Sequence, residues 1–157
     1  MGFGLGSWAS DRFGRVPTFV SSSILTALCG LTYYWGPPHL GSDEAFKIAW
    51  LAGAFAGIMA AHNSLHVAAN AIGTELCPTS VRNSLLGWLS GISAIGAIGS
   101  QLAIAVGTTR GLSLSLVAGT LGLLAVLSAG IVGSFVGETR GLSLESASGE
   151  KLVEVGG

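Results

Sequence analysis

Four apolar runs, each long enough to cross a lipid bilayer, are separated by short polar or charged stretches. A helix crosses the hydrocarbon core with about 20 residues at roughly 1.5 Å each, and backbone groups in lipid must be satisfied within the segment. The runs cover residues 17–35, 46–73, 83–107 and 111–137. Composition agrees, with half of the residues hydrophobic and only 10% charged, against about a quarter charged in a soluble domain. The expected fold class is therefore all-α integral membrane, with four transmembrane helices. Residues 1–10 are apolar but too short to span, and read as a helix stub at the N-terminus. Asp11 to Arg15 read as a charged loop, and a polar tail is expected over 147–157.

The ends of the runs carry their own signals. Pro17 suits a first helical turn, and Tyr33, Tyr34 and Trp35 mark an interface, after which Gly36-Pro37-Pro38 stops the helix. The second run is longer than a span needs, which predicts tilt or an extension beyond the bilayer. Arg12, Arg15, Arg82, Arg140 and Lys151 fall on one side, and only Lys47 and Arg110 on the other. Positive charge collects on the cytoplasmic face, so both termini are expected in the cytoplasm, most simply at the plasma (inner) membrane.

Several functions are excluded. The net charge of −1 gives no basic patch for nucleic acid. Cys29 and Cys77 have no metal-ligand spacing and read as small hydrophobes. No nucleophile elbow, paired carboxylates or phosphate-cradling loop is present, and Gly2-x-Gly4-x-Gly6 has no strand before it, so no catalytic residues, cofactor or metal are expected and the chain is not read as an enzyme.

Chemistry is instead suggested within the second run. His62, His66 and Asn70 recur at i, i+4 and i+8 and so share one helix face, with Asn63 beside them. Ionisable groups at membrane depth normally face a cavity or a partner helix, and His titrates near neutral pH. The stripe is a candidate substrate or proton pathway; interhelical hydrogen bonding is the plainer alternative. Gln101, beside the small polar face of Ser90, Ser93, Ala97 and Ser100 on the third run, is a further candidate for substrate contact. Gly53-x-x-x-Gly57, Gly87-x-x-x-Gly91 and Gly133-x-x-x-Gly137 read as packing seams.

Three charged clusters, Asp11-Arg12-Phe13-Gly14-Arg15, Glu75 through Arg82, and Glu138-Thr139-Arg140, are separated by even numbers of spans and should emerge on the same side. Their wording resembles the C-terminal half of a major facilitator superfamily transporter. Ser7-Trp-Ala-Ser-Asp11-Arg12-Phe-Gly14-Arg15-Val16 is similar to the family's Gly-x-Leu-Ala-Asp-Arg-x-Gly-Arg-Arg loop. Glu75-x-x-Pro78-x-x-x-Arg82 resembles its acid–Pro–Arg loop. Glu138-Thr139-Arg140-Gly141-Leu142-Ser143-Leu144-Glu145 is similar to the Pro-Glu-Thr-Lys-Gly-Leu-Ser-Leu-Glu signature after the last helix, with Gly137 in place of Pro. The stretch Cys77 to Trp88, followed by Ile95-Gly-Ala-Ile98, is most similar to aromatic-acid and related metabolite:proton symporters.

The resemblance implies that residues 1–146 form part of the C-terminal six-helix bundle, which works with an N-terminal half to move a small metabolite, an organic acid or sugar-like molecule, by proton-coupled alternating access. It implies that Asp11, Arg12, Gly14, Arg15, Glu75, Arg82, Glu138 and Arg140 make a cytoplasmic gate, in which Arg12 and Arg15 pair with Glu75 and Glu138. Substrate, protons, the lipid bilayer and the missing N-terminal half are the implied partners. A chain of this extent is expected to be a fragment that does not transport alone. The competing expectation is a small four-helix membrane protein that dimerises or binds another membrane protein.

Overall fold

A computed structural model describes residues 2–37, 43–78 and 80–141. Five α-helices are described: α1 Gly2–Phe13, α2 Arg15–Trp35, α3 Glu44–Leu76, α4 Arg82–Thr109 and α5 Leu114–Phe135. Helices α2 to α5 are each long and apolar enough to cross a membrane, and α1 is a 12-residue stub. Residues 142–157, which include the end of the signature, Lys151 and the expected tail, lie outside the described residues, as does Pro38.

Local signals account for most of the boundaries. Asp43 caps α3, its Oδ1 accepting from the N–H groups of Ala45 (3.0 Å) and Phe46 (3.4 Å), and Ser113 caps α5 by accepting from Leu116 N–H at 3.3 Å. Such caps satisfy donors that an isolated helix start leaves unpaired. At 33 residues α3 is about 50 Å long, beginning before and ending after the apolar run itself.

The stretch Asp11 to Arg15 is not a loop. Asp11 and Arg12 form the last turn of α1, where a cation suits the helix C-terminus, and Arg15 is the first residue of α2. Gly14 alone breaks the helix, with φ +114°, a conformation open to glycine at little cost. Pro17 sits in the first turn of α2, two residues later than a helix beginning at Pro17 would put it.

Helix α2 is central and packs against α3 and α5, while α1 lies along α3 and α2. Most of the buried positions are small, among them Ser10, Thr18, Ser22, Ser23, Ala61, Ala68 and Ala129, with Ile72 the one large buried side chain among the described residues. Small side chains let membrane helices approach until their backbones touch, where van der Waals packing replaces the hydrophobic effect. The closest seam is α1 on α3. A Cβ at Gly2 would stand 2.9 Å from Asn63 Cβ, and one at Gly6 only 2.6 Å from Ser64 Cα. Ser64 Oγ stands within hydrogen-bond distance of Gly2 O across this seam (3.1 Å) and of Ala60 O one turn back in α3 (2.9 Å), sharing its one proton between them. Of the expected seams, Gly57 meets Cys29 and Gly133 meets Val20, whereas Gly53, Gly87, Gly91 and Gly137 face open space.

Helix α4 is different. Gly107 is its one buried residue, held against Val117 of α5, and Leu89 approaches Gly73 of α3 near the other end. Between these points Ile92, Ile95, Ile98 and Leu102 are 60–71% exposed. Such an apolar face requires lipid or another protein surface.

Candidate functional site

The start of α2, the end of α3 and the segment after α5 meet at one end of the helices. Arg15 joins them. Its Nε donates to Glu75 Oε1 at 3.1 Å and its Nη1 to Asp11 Oδ1 at 2.6 Å. The Arg15 and Glu75 side chains are 19% and 17% exposed, whereas Asp11 is 68% exposed. The first pair is therefore shielded from water and the second is screened, which leaves it little energetic weight. Glu75 uses its other oxygen, Oε2, to accept from the hydroxyl of buried Thr139. One carboxylate thus holds both α2 and the segment after α5.

Glu138 completes the arrangement through the backbone. Its Oε1 accepts from the N–H groups of Arg15 (2.8 Å) and Arg140 (3.0 Å), and its Oε2 from that of Val16 (3.1 Å). The first turn of α2 has no cap from its own N-cap residue. Glu138, more than 120 residues away, supplies it. Pro17 has no N–H, and Thr18 N–H reaches Gly14 O at 3.4 Å, so every donor of that turn is accounted for. Partial burial would raise the Glu138 carboxyl, but the N–H groups of Arg15, Arg140, Val16 and Thr139 outweigh it and hold its pKa below the ordinary carboxylate value. The positive end of the helix dipole acts in the same direction. Gly14 is needed twice over, because a Cβ there would also stand 2.5 Å from Glu138 Oε2.

Other residues of the expected gate take different roles. The Arg12 guanidinium lies over the Trp8 ring, 5.7 Å from its centre, and forms no ion pair among the described residues. Glu138 takes peptide N–H groups in place of a guanidinium. Arg82 Nη2 donates to Cys77 O at 3.2 Å, tying the α3–α4 turn at the end of α3. Arg140 enters through its backbone N–H, and its side chain is exposed. Thr139 and Ser64 were not among the expected site residues. The Thr139 hydroxyl finds its partner 64 residues away, and that of Ser64, besides Ala60 O one turn back, reaches Gly2 O 62 residues away; no local pattern announces either distant contact.

Halfway along α3, His62 and His66 turn their Nε2 atoms toward each other at 3.1 Å, with rings edge-on at 88°. Both are exposed on the helix face, as is Asn70, while Asn63 lies in the seam with α1. Gln101 is exposed on α4, and no hydrogen bond joins it to the histidines among the described residues. A separate apolar cleft of about 500 Å³ lies between α2, α3 and α5 at the opposite end from the charged cluster, bordered by Tyr33, Trp35, Phe55, Met59, Gly119 and Leu123.

Four apolar spans, seams of small residues and a polar cluster at one end describe an all-α integral membrane protein. The sequence model of the sugar (and other) transporter family matches residues 2–150. The chain belongs to that family, which places it among membrane proteins that move small molecules and not among enzymes. No curated protein and no solved structure matches it.

Proposed function

We propose that the chain is part of the C-terminal half of a secondary active transporter that carries a sugar-like or organic-acid metabolite with protons by alternating access. The wording of residues 77–88 favours a relation to aromatic-acid:proton symporters. The observation that carries the reading is Arg15, which bridges Asp11 and Glu75 while its own N–H binds Glu138. Three segments distant in sequence are held by a few polar contacts that can break together, as a two-state gate requires. The lock faces the cytoplasm of the plasma membrane in this reading, with the chain termini on the same side. His62, His66, Asn70 and Gln101 line the substrate and proton route, on α3 and α4 surfaces that remain uncovered within this chain and would meet the N-terminal half, and Asn63 borders that route from the seam with α1. By itself the chain does not transport.

Sequencing the transcript 5′ of the Met1 codon tests the half-transporter reading. An in-frame stretch encoding further hydrophobic helices supports it, and an in-frame stop just upstream overturns it. Uptake of labelled hexoses and aromatic acids into vesicles, with and without an inward proton gradient, then tests coupling. The chain alone is expected to give none, and uptake by the full transporter is expected to collapse when an uncoupler is added. Stable self-association through the bare face of α4, with no gradient-driven uptake in any combination, would favour the four-helix interaction protein instead.

A further inference from the structure

The geometry points to the His62–His66 pair as a single-proton site, two imidazoles that act as one titrating unit. It rests on the proton-coupled reading above and gives it a carrier and a stoichiometry of one.

The Nε2–Nε2 distance of 3.1 Å is that of a hydrogen bond, and the two ring planes stand nearly perpendicular, at 88°. A neutral pair at this distance joins one donor ring to one acceptor ring, in either order. One ring carries its proton on Nε2 and donates it, while the other carries its proton on Nδ1 and accepts through the Nε2 lone pair. The donor ring then has one free basic atom, its own Nδ1. A proton arriving there turns that ring into an imidazolium, which strengthens the bridging bond because the donor is now charged. If the bridging proton moves across, the charge passes to the second ring. A proton can then leave from that ring's Nδ1, one helical turn from where the first was bound. Every proton is accounted for: one enters, one shifts, one leaves.

A second added proton has nowhere to go without damage. It would need the Nε2 lone pair of the acceptor ring, which the bridge occupies, and would set two positive charges against each other in a membrane-spanning helix. Among the described residues no charged group stands near enough to offset that charge. Along α3, Glu75 is nine residues beyond His66, about 14 Å, and Lys47 is fifteen before His62, about 22 Å. The helices packed on α3 carry Asp11 and Arg12 on α1, Arg15, Cys29, Tyr33 and Tyr34 on α2, and Arg82 on α4. None of these makes a hydrogen bond or ion pair to either histidine among the described residues. Both rings are exposed on the helix face, so nothing described in this chain covers them against an incoming proton.

The test counts protons on the 157-residue chain in lipid nanodiscs, with the remaining histidine replaced (His39→Gln) so that the pair alone reports. Imidazole nitrogen resonances are followed between about pH 8 and pH 5. The expected result is uptake of one proton by the pair, with both rings shifting together as coupled groups do. His66→Gln, which leaves one histidine, is expected to take up one proton as well, and His62→Gln likewise. Circular dichroism of each variant should show unchanged helix content, since both positions are exposed. Two protons for the pair against one for each variant, or two rings that titrate separately, would overturn the proposal. These outcomes are independent of transport. Gradient-insensitive uptake by the full transporter would remove the coupling reading and leave the proton count of the pair as measured.

Discussion

Replacing Glu138 by Ala removes the acceptor for three backbone N–H groups, two of them in the first turn of α2. Loss of a helix N-cap costs about 1 kcal/mol, and the favourable placement of a carboxylate at the helix N-terminus adds a few tenths at an exposed site. Glu138 is itself exposed, so about 1 kcal/mol is the appropriate figure for local opening, or a factor of about 5 in the opening equilibrium. Hydrogen exchange at the Arg15 and Val16 amides reads this directly. Both are expected to lose about 5-fold protection in Glu138→Ala, and Glu138→Gln to retain part of it because an amide oxygen still accepts. The pH dependence follows from the lowered carboxyl. A group with a depressed folded pKa stabilises above its unfolded value, about 4.3 for Glu, and that contribution is lost as pH falls through the lower folded value. Protection of these two amides, corrected for intrinsic exchange, should therefore hold at pH 5 and fall only in more acidic solution. Unchanged protection in Glu138→Ala would refute the capping role.

Gly14→Ala combines a positive φ with a clash against Glu138, so a destabilisation of at least about 1 kcal/mol is expected, read as a lower melting temperature in detergent. Arg15→Gln breaks the shielded contact to Glu75 and should speed labelling of half-buried Cys77 by a membrane-impermeant maleimide, while Arg12→Gln, which removes only a contact over Trp8, should change it little. Gly6→Ala sets a methyl against the backbone of Ser64 and should cost roughly 1–3 kcal/mol. Gly4→Ala, which faces open space, should leave the melting temperature within error.

What the sequence determines here is local or periodic. Apolar runs of bilayer length make helices because lipid supplies no hydrogen bonds to an open backbone. Asp43 and Ser113 start helices with side chains that reach donors two or three residues on. The even spacing of spans sends Asp11–Arg15, Glu75 and Glu138–Arg140 to one end. The i, i+4 spacing puts His62 and His66 on one face. The choice of partners belongs to the tertiary structure. That Arg15 and not Arg12 reaches Glu75, and that Glu138 binds peptide N–H groups of α2, depends on how three helix ends separated by 60 and more residues converge. Gly14 is legible as a helix breaker, but its closeness to Glu138 is not. Gly2 and Gly6 have the spacing of a seam, yet only the approach of α3 distinguishes them from Gly87 and Gly91, which share that spacing and touch nothing. Packing in a membrane is decided by which small faces can come within contact distance, a property of two surfaces together that neither stretch of sequence carries alone.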